Sequence, residues 1–143
     1  MSLLREQRAI LKTENLKEDE NMLVTGLFEV KLDPQNDELT PAGRMTISKE
    51  YLGGLTGKGI GQMLSKRTDG ESVYSAIEEF EGALEGKKGA FTLFHNGIMS
   101  SLKHELTIVV VAGSGTGELA GIQGTMSITQ EGGNHQYEFT YTL

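Results

Sequence analysis

An eight-stranded antiparallel up-and-down β-barrel is the fold this 143-residue sequence predicts, on three observations. From Val24 onward, apolar and polar residues alternate with period two in run after run, the spacing of half-buried strands. The 19 glycines are more than a helical protein of this size carries, and they suit turns, bulges and tight barrel corners. The connections between runs are short and evenly spaced, which fits an all-β sheet closed on itself. At this length the chain is read as one domain with a real core.

Taken in order, residues 1–21 stand apart: they are rich in charge, lack glycine, and hold Leu3, Leu4, Ile10 and Leu11 at roughly helical spacing. The reading is a short helix over Ser2 to Lys12 and a solvated linker from Asn15 to Asn21, packed loosely on a barrel domain of residues 22–143. A first strand over Gly26 to Leu32 puts Phe28, Val30 and Leu32 on one face. Asp33 to Asp37 and Pro41 to Gly43 form a loop. A second strand, Arg44 to Tyr51, places Met45, Ile47, Lys49 and Tyr51 together. Leu52 to Gly57 turns the chain into a third strand, Lys58 to Arg67, whose inward face is ambiguous because Met63 and Leu64 both qualify. Thr68 to Gly70 turns again.

Tyr74 to Met99 reads as a long hairpin about a four-residue turn, Glu85 to Lys88. One face carries Tyr74, Ala76, Glu78, Phe80, Gly82 and Leu84; the facing set is Phe91, Leu93, His95, Gly97 and Met99. The expected register opposes Phe80 to Leu93, Tyr74 to Met99 and Glu78 to His95, and a slip of two residues leaves the last pair as diagonal neighbours. After Ser100-Ser101, His104 to Ala112 contains Ile108 to Val111, a β-branched run suited to a strand buried on both faces or covered by a partner. The glycines from Gly113 to Gly124 make a tight corner, not a phosphate loop, since no Lys-Ser/Thr pair closes the motif and no helix pattern follows. A last hairpin joins Thr125–Gln130 to His135–Leu143 about the turn Glu131 to Asn134, with Met126, Ile128, Tyr137, Phe139 and Tyr141 on one face.

Several segments together are similar to a known family. They are GLFEVKL at 26–32, AGRMTISKEY at 42–51, FTLFHNGIM ending at Met99, SGTGELAGIQGTMSIT at 114–129, and the terminal HQYEFTYTL. Over residues 24–143 the chain resembles small bacterial domains of unknown function that share an allene oxide cyclase-like, calycin-like barrel. The Gly-Thr-Gly-x-Leu-x-Gly turn at 115–121 is similar to that of allene oxide cyclases and dirigent proteins. The resemblance implies the barrel and transfers no active-site residue, because such barrels host both enzymes and binders.

Charge and composition exclude some functions. A formal charge of −7 opposes binding to nucleic acid or to an anionic membrane surface. Without cysteine there is no disulfide, thiol nucleophile or cysteine–zinc site. The N-terminus shows no signal peptide and nothing approaches a membrane span, so the expected location is cytoplasmic. His95, His104 and His135 lie on different strands without metal-ligand spacing, and no Gly-x-Ser-x-Gly elbow occurs, so neither a metal nor a cofactor is expected.

Chemistry concentrates on Glu78 and His95, a carboxylate beside an imidazole on an apolar face. The pair reads either as a satisfied polar contact in the core or as an acid–base pair. Lys49, set among Met45, Ile47 and Tyr51, is either a third member of this pair or a residue that snorkels to the barrel rim, and the rim is the favoured reading. Tyr74, Tyr137 and Tyr141 pack in the core or line a cavity with hydroxyls, and Tyr74, Phe80, Leu93, Met99, Met126, Tyr137 and Phe139 are the candidate ligand contacts. The leading function is a binder of a small apolar or amphipathic ligand in the barrel. The second is a cofactor-free isomerase, cyclase or lyase using Glu78 and His95, and a third is a homo-oligomer that buries the face of Val109 and Val111.

Overall fold

The computed structural model describes residues 21–36 and 41–143, and every described element is β. The arm read as a helix and linker before Asn21 lies outside the described residues. The strands are β1 (Met22–Gln35), β2 (Gly43–Gly53), β3 (Leu55–Thr68), β4 (Glu71–Leu84), β5 (Lys87–Ser100), β6 (His104–Val110), the two-residue β7 (Thr116–Gly117), β8 (Gln123–Glu131) and β9 (Asn134–Thr142). The sheet runs β4-β3-β2-β1-β9-β8-β6-β5, and pairing of β4 with β5 closes it. Eight antiparallel strands thus make the barrel wall, while β7 pairs at its edge with Gly89 and Ala90 of β5.

One row of cross-strand partners runs Met45–Met63–Ala76–His95–Ile108–Met126–Phe139–Val24. Carried on to β2, it arrives about ten residues beyond its start, a stagger that tilts the strands by roughly 40°.

The central hairpin departs from its expected register. Its turn is the two-residue Glu85–Gly86, because Leu84 pairs with Lys87 and Ala83 with Lys88. Both turn residues have positive φ, 48° and 87°, the type I′ geometry whose twist matches the flanking strands. The pairing therefore slips by two: Phe80 opposes Phe91, Glu78 opposes Leu93, Ala76 opposes His95 and Tyr74 opposes Gly97. Met99 opposes Ser72 instead of Tyr74. An even slip leaves every side chain on its expected face.

Alternation predicts the other faces well. On β3 Met63 turns inward and Leu64 outward, while the inward positions nearer β2's end are Gly57, Gly59 and Gly61. On β6, Ile108 and Val110 are buried, Val109 is half-buried, and Val111 just beyond the strand is exposed, so the run is covered mainly on one face.

The two ends of the barrel differ. One is sealed by the corner at Gly54, the Glu85–Gly86 turn and the glycine-rich segment before β8, which drives Leu119 and Ile122 fully into the core beside Leu55 and Leu84. Tyr137 pins this end: its hydroxyl accepts from the Leu55 N–H at 2.8 Å and donates to the Leu52 carbonyl at 2.8 Å. Inside, rings contact one another in sequence from Phe28 through Tyr51, Phe80, Phe91 and Phe139 to Tyr141, at centroid spacings of 5.1–5.7 Å.

The opposite end is open. Inward-register residues there keep much of their surface, with Leu32 47%, Met99 41% and Leu106 45% exposed, and Met45, Met63 and Tyr74 half-buried. Among the described residues β6 and β8 pair only at Ile108–Met126 and Val109–Thr125, the shortest ladder in the barrel wall.

Candidate functional site

Between the sealed aromatic core and the open end sits a polar cluster centred on Glu78. Inward register from three strands brings it together, across the glycines of β3: Lys49 and Tyr51 from β2, Glu78 from β4 and His95 from β5. Glu78, His95 and Lys49 are 0%, 4% and 7% exposed. Lys49 Nζ donates to Glu78 Oε1 at 3.1 Å, His95 Nε2 lies 2.8 Å from the same oxygen, and the Tyr51 hydroxyl donates to Oε2 at 2.6 Å. Both carboxylate oxygens are therefore satisfied, the condition on which a buried charge is tolerated. The Lys49 ammonium also lies 4.7 Å from the centre of the Phe28 ring, a cation–π contact in a desolvated place.

Burial acts most strongly on the Glu78 carboxyl, and it acts upward. The His95 hydrogen bond, the Lys49 charge, the Tyr51 hydrogen bond and the His95 charge together overcome it and bring the group down to about 2. Glu78 is thus an anion at neutral pH. Tyr51 moves the other way: burial first, then the Glu78 charge and hydrogen bond, hold its hydroxyl protonated far above the ordinary tyrosine range.

Room for the carboxylate comes from Gly59 on β3. A Cβ at that position would collide with Glu78 Oε2 and lie 2.9 Å from its Cδ and 3.0 Å from Tyr51 Cε1. Sequence reasoning missed Gly59 and Tyr51 as parts of the site. It also favours the rim for Lys49 over a third place in the pair, whereas the ammonium is buried on Glu78; with an anion in reach, pairing outweighs snorkelling. The signal was present in the shared face of Lys49 and Tyr51.

The expected ligand contacts divide by depth. Phe80, Leu93, Met126, Tyr137 and Phe139 are buried in the packed core, and the Tyr137 hydroxyl is engaged by Leu52 and Leu55. Tyr141 is buried in the same core. Tyr74 and Met99 belong to the open end instead. Met45, Tyr74 and Met99 each lie four residues nearer that end than Lys49, Glu78 and His95 on the same three strands. The intervening inward residues are Ile47, Ala76 and Gly97, and the Tyr74 ring rests on Gly97, where a Cβ would lie 2.9 Å from Tyr74 Cδ1. The outer wall carries a separate apolar patch of exposed Ile60, Leu64, Ile77 and Phe94. Among the described residues no group of three or more acidic or histidine side chains could hold a metal ion, and none forms a helix that could cross a membrane.

The architecture defines a class: a closed antiparallel barrel with an apolar core and one buried ionic cluster beneath an open end. The family model described as protein of unknown function (DUF3224) matches residues 24–141. The chain is also similar to the crystal structure of a protein with unknown function from the DUF3224 family of Shewanella oneidensis MR-1, at 41% identity and a TM-score of 0.80 over 87% of this chain and 98% of that one. This chain belongs to the DUF3224 family. No curated protein matches it.

Proposed function

We propose that the barrel binds a small amphipathic molecule at its open end, with the Lys49–Glu78–His95 cluster as the polar floor. One observation carries this reading: Leu55, Leu84, Leu119 and Ile122 are only 0–1% exposed at the sealed end, whereas the inward-register Met99, Leu106 and Leu32 remain 41–47% exposed at the other, on the far side of the buried ionic group. A buried lysine–glutamate–histidine cluster is weak support for a purely structural role, since an apolar replacement is often no less stable. Four residues of tilted strand separate the rim from the cluster, a depth of about 10 Å. Met45, Met63 and Met99, whose thioethers adapt to irregular and aromatic partners, supply a soft wall. The closed eight-stranded barrel also fits the allene oxide cyclase-like fold that the sequence resembles, and barrels of that type host both enzymes and binders.

The test is methyl NMR with 3-phenyl-1-propanol as the probe. The expected result is that the Met45, Met63 and Met99 methyl signals shift in a saturable manner while those of Leu119 and Ile122 stay put. Unmoved methionine signals, or shifts confined to the sealed end, overturn the proposal.

A second reading is favoured by a specific contact. Glu78 holds His95 through Nε2, which fixes the tautomer and leaves Nδ1 as a base, the arrangement of an acid–base pair. This is the cofactor-free isomerase, cyclase or lyase. Its signature is deuterium exchange next to the carbonyl of 4-phenyl-2-butanone in D2O, expected in the wild type and lost in Glu78→Gln. Equal exchange in both rejects it.

A further inference from the structure

We infer that the polar end of the bound molecule is a carboxylate, seated between Lys49 Nζ and His95 Nδ1. The inference rests on the open-end binding reading and adds the chemistry of the ligand's head. Three facts about unfilled hydrogen-bonding capacity point to it. Lys49 has three N–H donors, and among the described residues it gives one to Glu78 Oε1 and turns the rest of its charge to the Phe28 ring. His95 makes one hydrogen bond there, through Nε2 to Glu78, and its Nδ1 has no partner. Glu78, by contrast, is saturated: Lys49 and His95 hold one oxygen, Tyr51 the other, and Gly59 closes against it. Lys49 has donor capacity to spare, the unpartnered His95 Nδ1 is a base that can take up a proton, and no Glu78 lone pair is open to a ligand.

Charge sets the sign of the partner. Lys49 and Glu78 cancel, so an added cation would meet an ammonium with no free anion to balance it. An added carboxylate accepts from that ammonium, and protonation of both His95 nitrogens restores neutrality. The groups facing His95 allow this: Glu78 from β4, with Lys49 and Tyr51 of β2 behind it, Ala76 opposite on β4 and Ile108 opposite on β6. Gly59 and Gly61 of β3 bring no charge, and Met126 and Ile128 of β8 are apolar. On β9, His135 lies against the Phe28 ring, 5.1 Å between centroids, and Tyr137 is tied to the sealed corner. The ligand class is therefore a compact carboxylate with an apolar body short enough for the roughly 10 Å between the rim residues and the cluster.

Three probes with one body and different heads test it: 3-phenylpropanoate, 3-phenyl-1-propanol and 3-phenylpropylammonium, titrated into the full chain. The carboxylate is expected to bind at least about tenfold more tightly than the alcohol, as a charge-assisted hydrogen bond supplies, and the ammonium most weakly. Lys49→Met and His95→Gln should each abolish that preference. Should Lys49→Met fail to fold, the wild type alone decides through the His95 ring nitrogen signals, with Nδ1 expected to carry a proton in the carboxylate complex. Equal binding of acid and alcohol, or an Nδ1 signal that ignores the acid, overturns the carboxylate while leaving a binding site. If no probe moves the methionine methyls, the binding reading itself falls.

Discussion

At the residue scale, the decisive feature is that Glu78 has three donors on two oxygens in a place with no exposure. Gly59 is the least conspicuous member of this arrangement and the easiest to test. Its Cα faces the carboxylate so closely that Gly59→Ala should cost about 1–3 kcal/mol in chemical denaturation. In Glu78→Ala the same substitution should cost much less, because the colliding oxygen is gone. Additive costs in the double mutant would show that the two positions do not interact. Glu78 and His95 were legible in the sequence because parity along a strand fixes which side chains share a face. The depth of Lys49 was not, since alternation reports the face of a residue and not its distance from the barrel end. Gly59 left no trace because a site made of space carries no side chain to read.

At the scale of elements, the barrel's strands were legible from period two, and the sealed end was not. Leu119 and Ile122 sit among glycines in a segment that reads as a bend, yet they plug the core. The ambiguity of β3 has the same origin as the missed Gly59: three consecutive inward positions are glycine, so the exposed Ile60 and Leu64 stand out instead. The register error came from the turn. A four-residue connection looked natural across Glu85 to Lys88, but Lys87 and Lys88 continue the ladder and force positive φ on Glu85. A non-glycine residue at 48° is strained unless it is of the Asn or Asp type. Glu85→Asn should therefore raise stability by a few tenths of a kcal/mol to about 1 kcal/mol, read as a higher melting temperature. An unchanged or lower melting temperature would mean that the Glu85 side chain makes up for its backbone.

For the whole molecule, the family match at residues 24–141 and the strand pairing from Met22 outline one unit. Met22 pairs with Tyr141 and Val24 with Phe139, so the barrel wall is complete without anything before Asn21. A chain starting at Asn21 should stay soluble and melt within a few degrees of the full protein, as differential scanning calorimetry would record. Insolubility or a large drop would make the first twenty residues part of the barrel's stability. The unit is asymmetric along its axis, packed tight at one end and loosely at the other, and the ionic cluster lies where the two regimes meet. That placement is what turns a buried ion pair, ordinarily a liability in a core, into a candidate binding floor.

Glu78 is a buried anion, and this has consequences for the whole chain. Its folded pKa of about 2 lies below the ordinary 4.5, so the group favours the folded state above about pH 4.5 and that stability is lost as pH falls towards 2. The amount is on the order of 3 kcal/mol. The most direct measurement is the carbon-13 shift of the Glu78 side-chain carboxyl in folded protein, assigned by its absence in Glu78→Gln and followed from pH 7 downward. We expect the signal of a carboxylate to persist unchanged through pH 4 and to begin moving only as pH approaches 2, or to be lost with unfolding first. A carboxyl that titrates near 4.5 or above would contradict the account, because the Lys49, His95 and Tyr51 contacts would then not hold its charge.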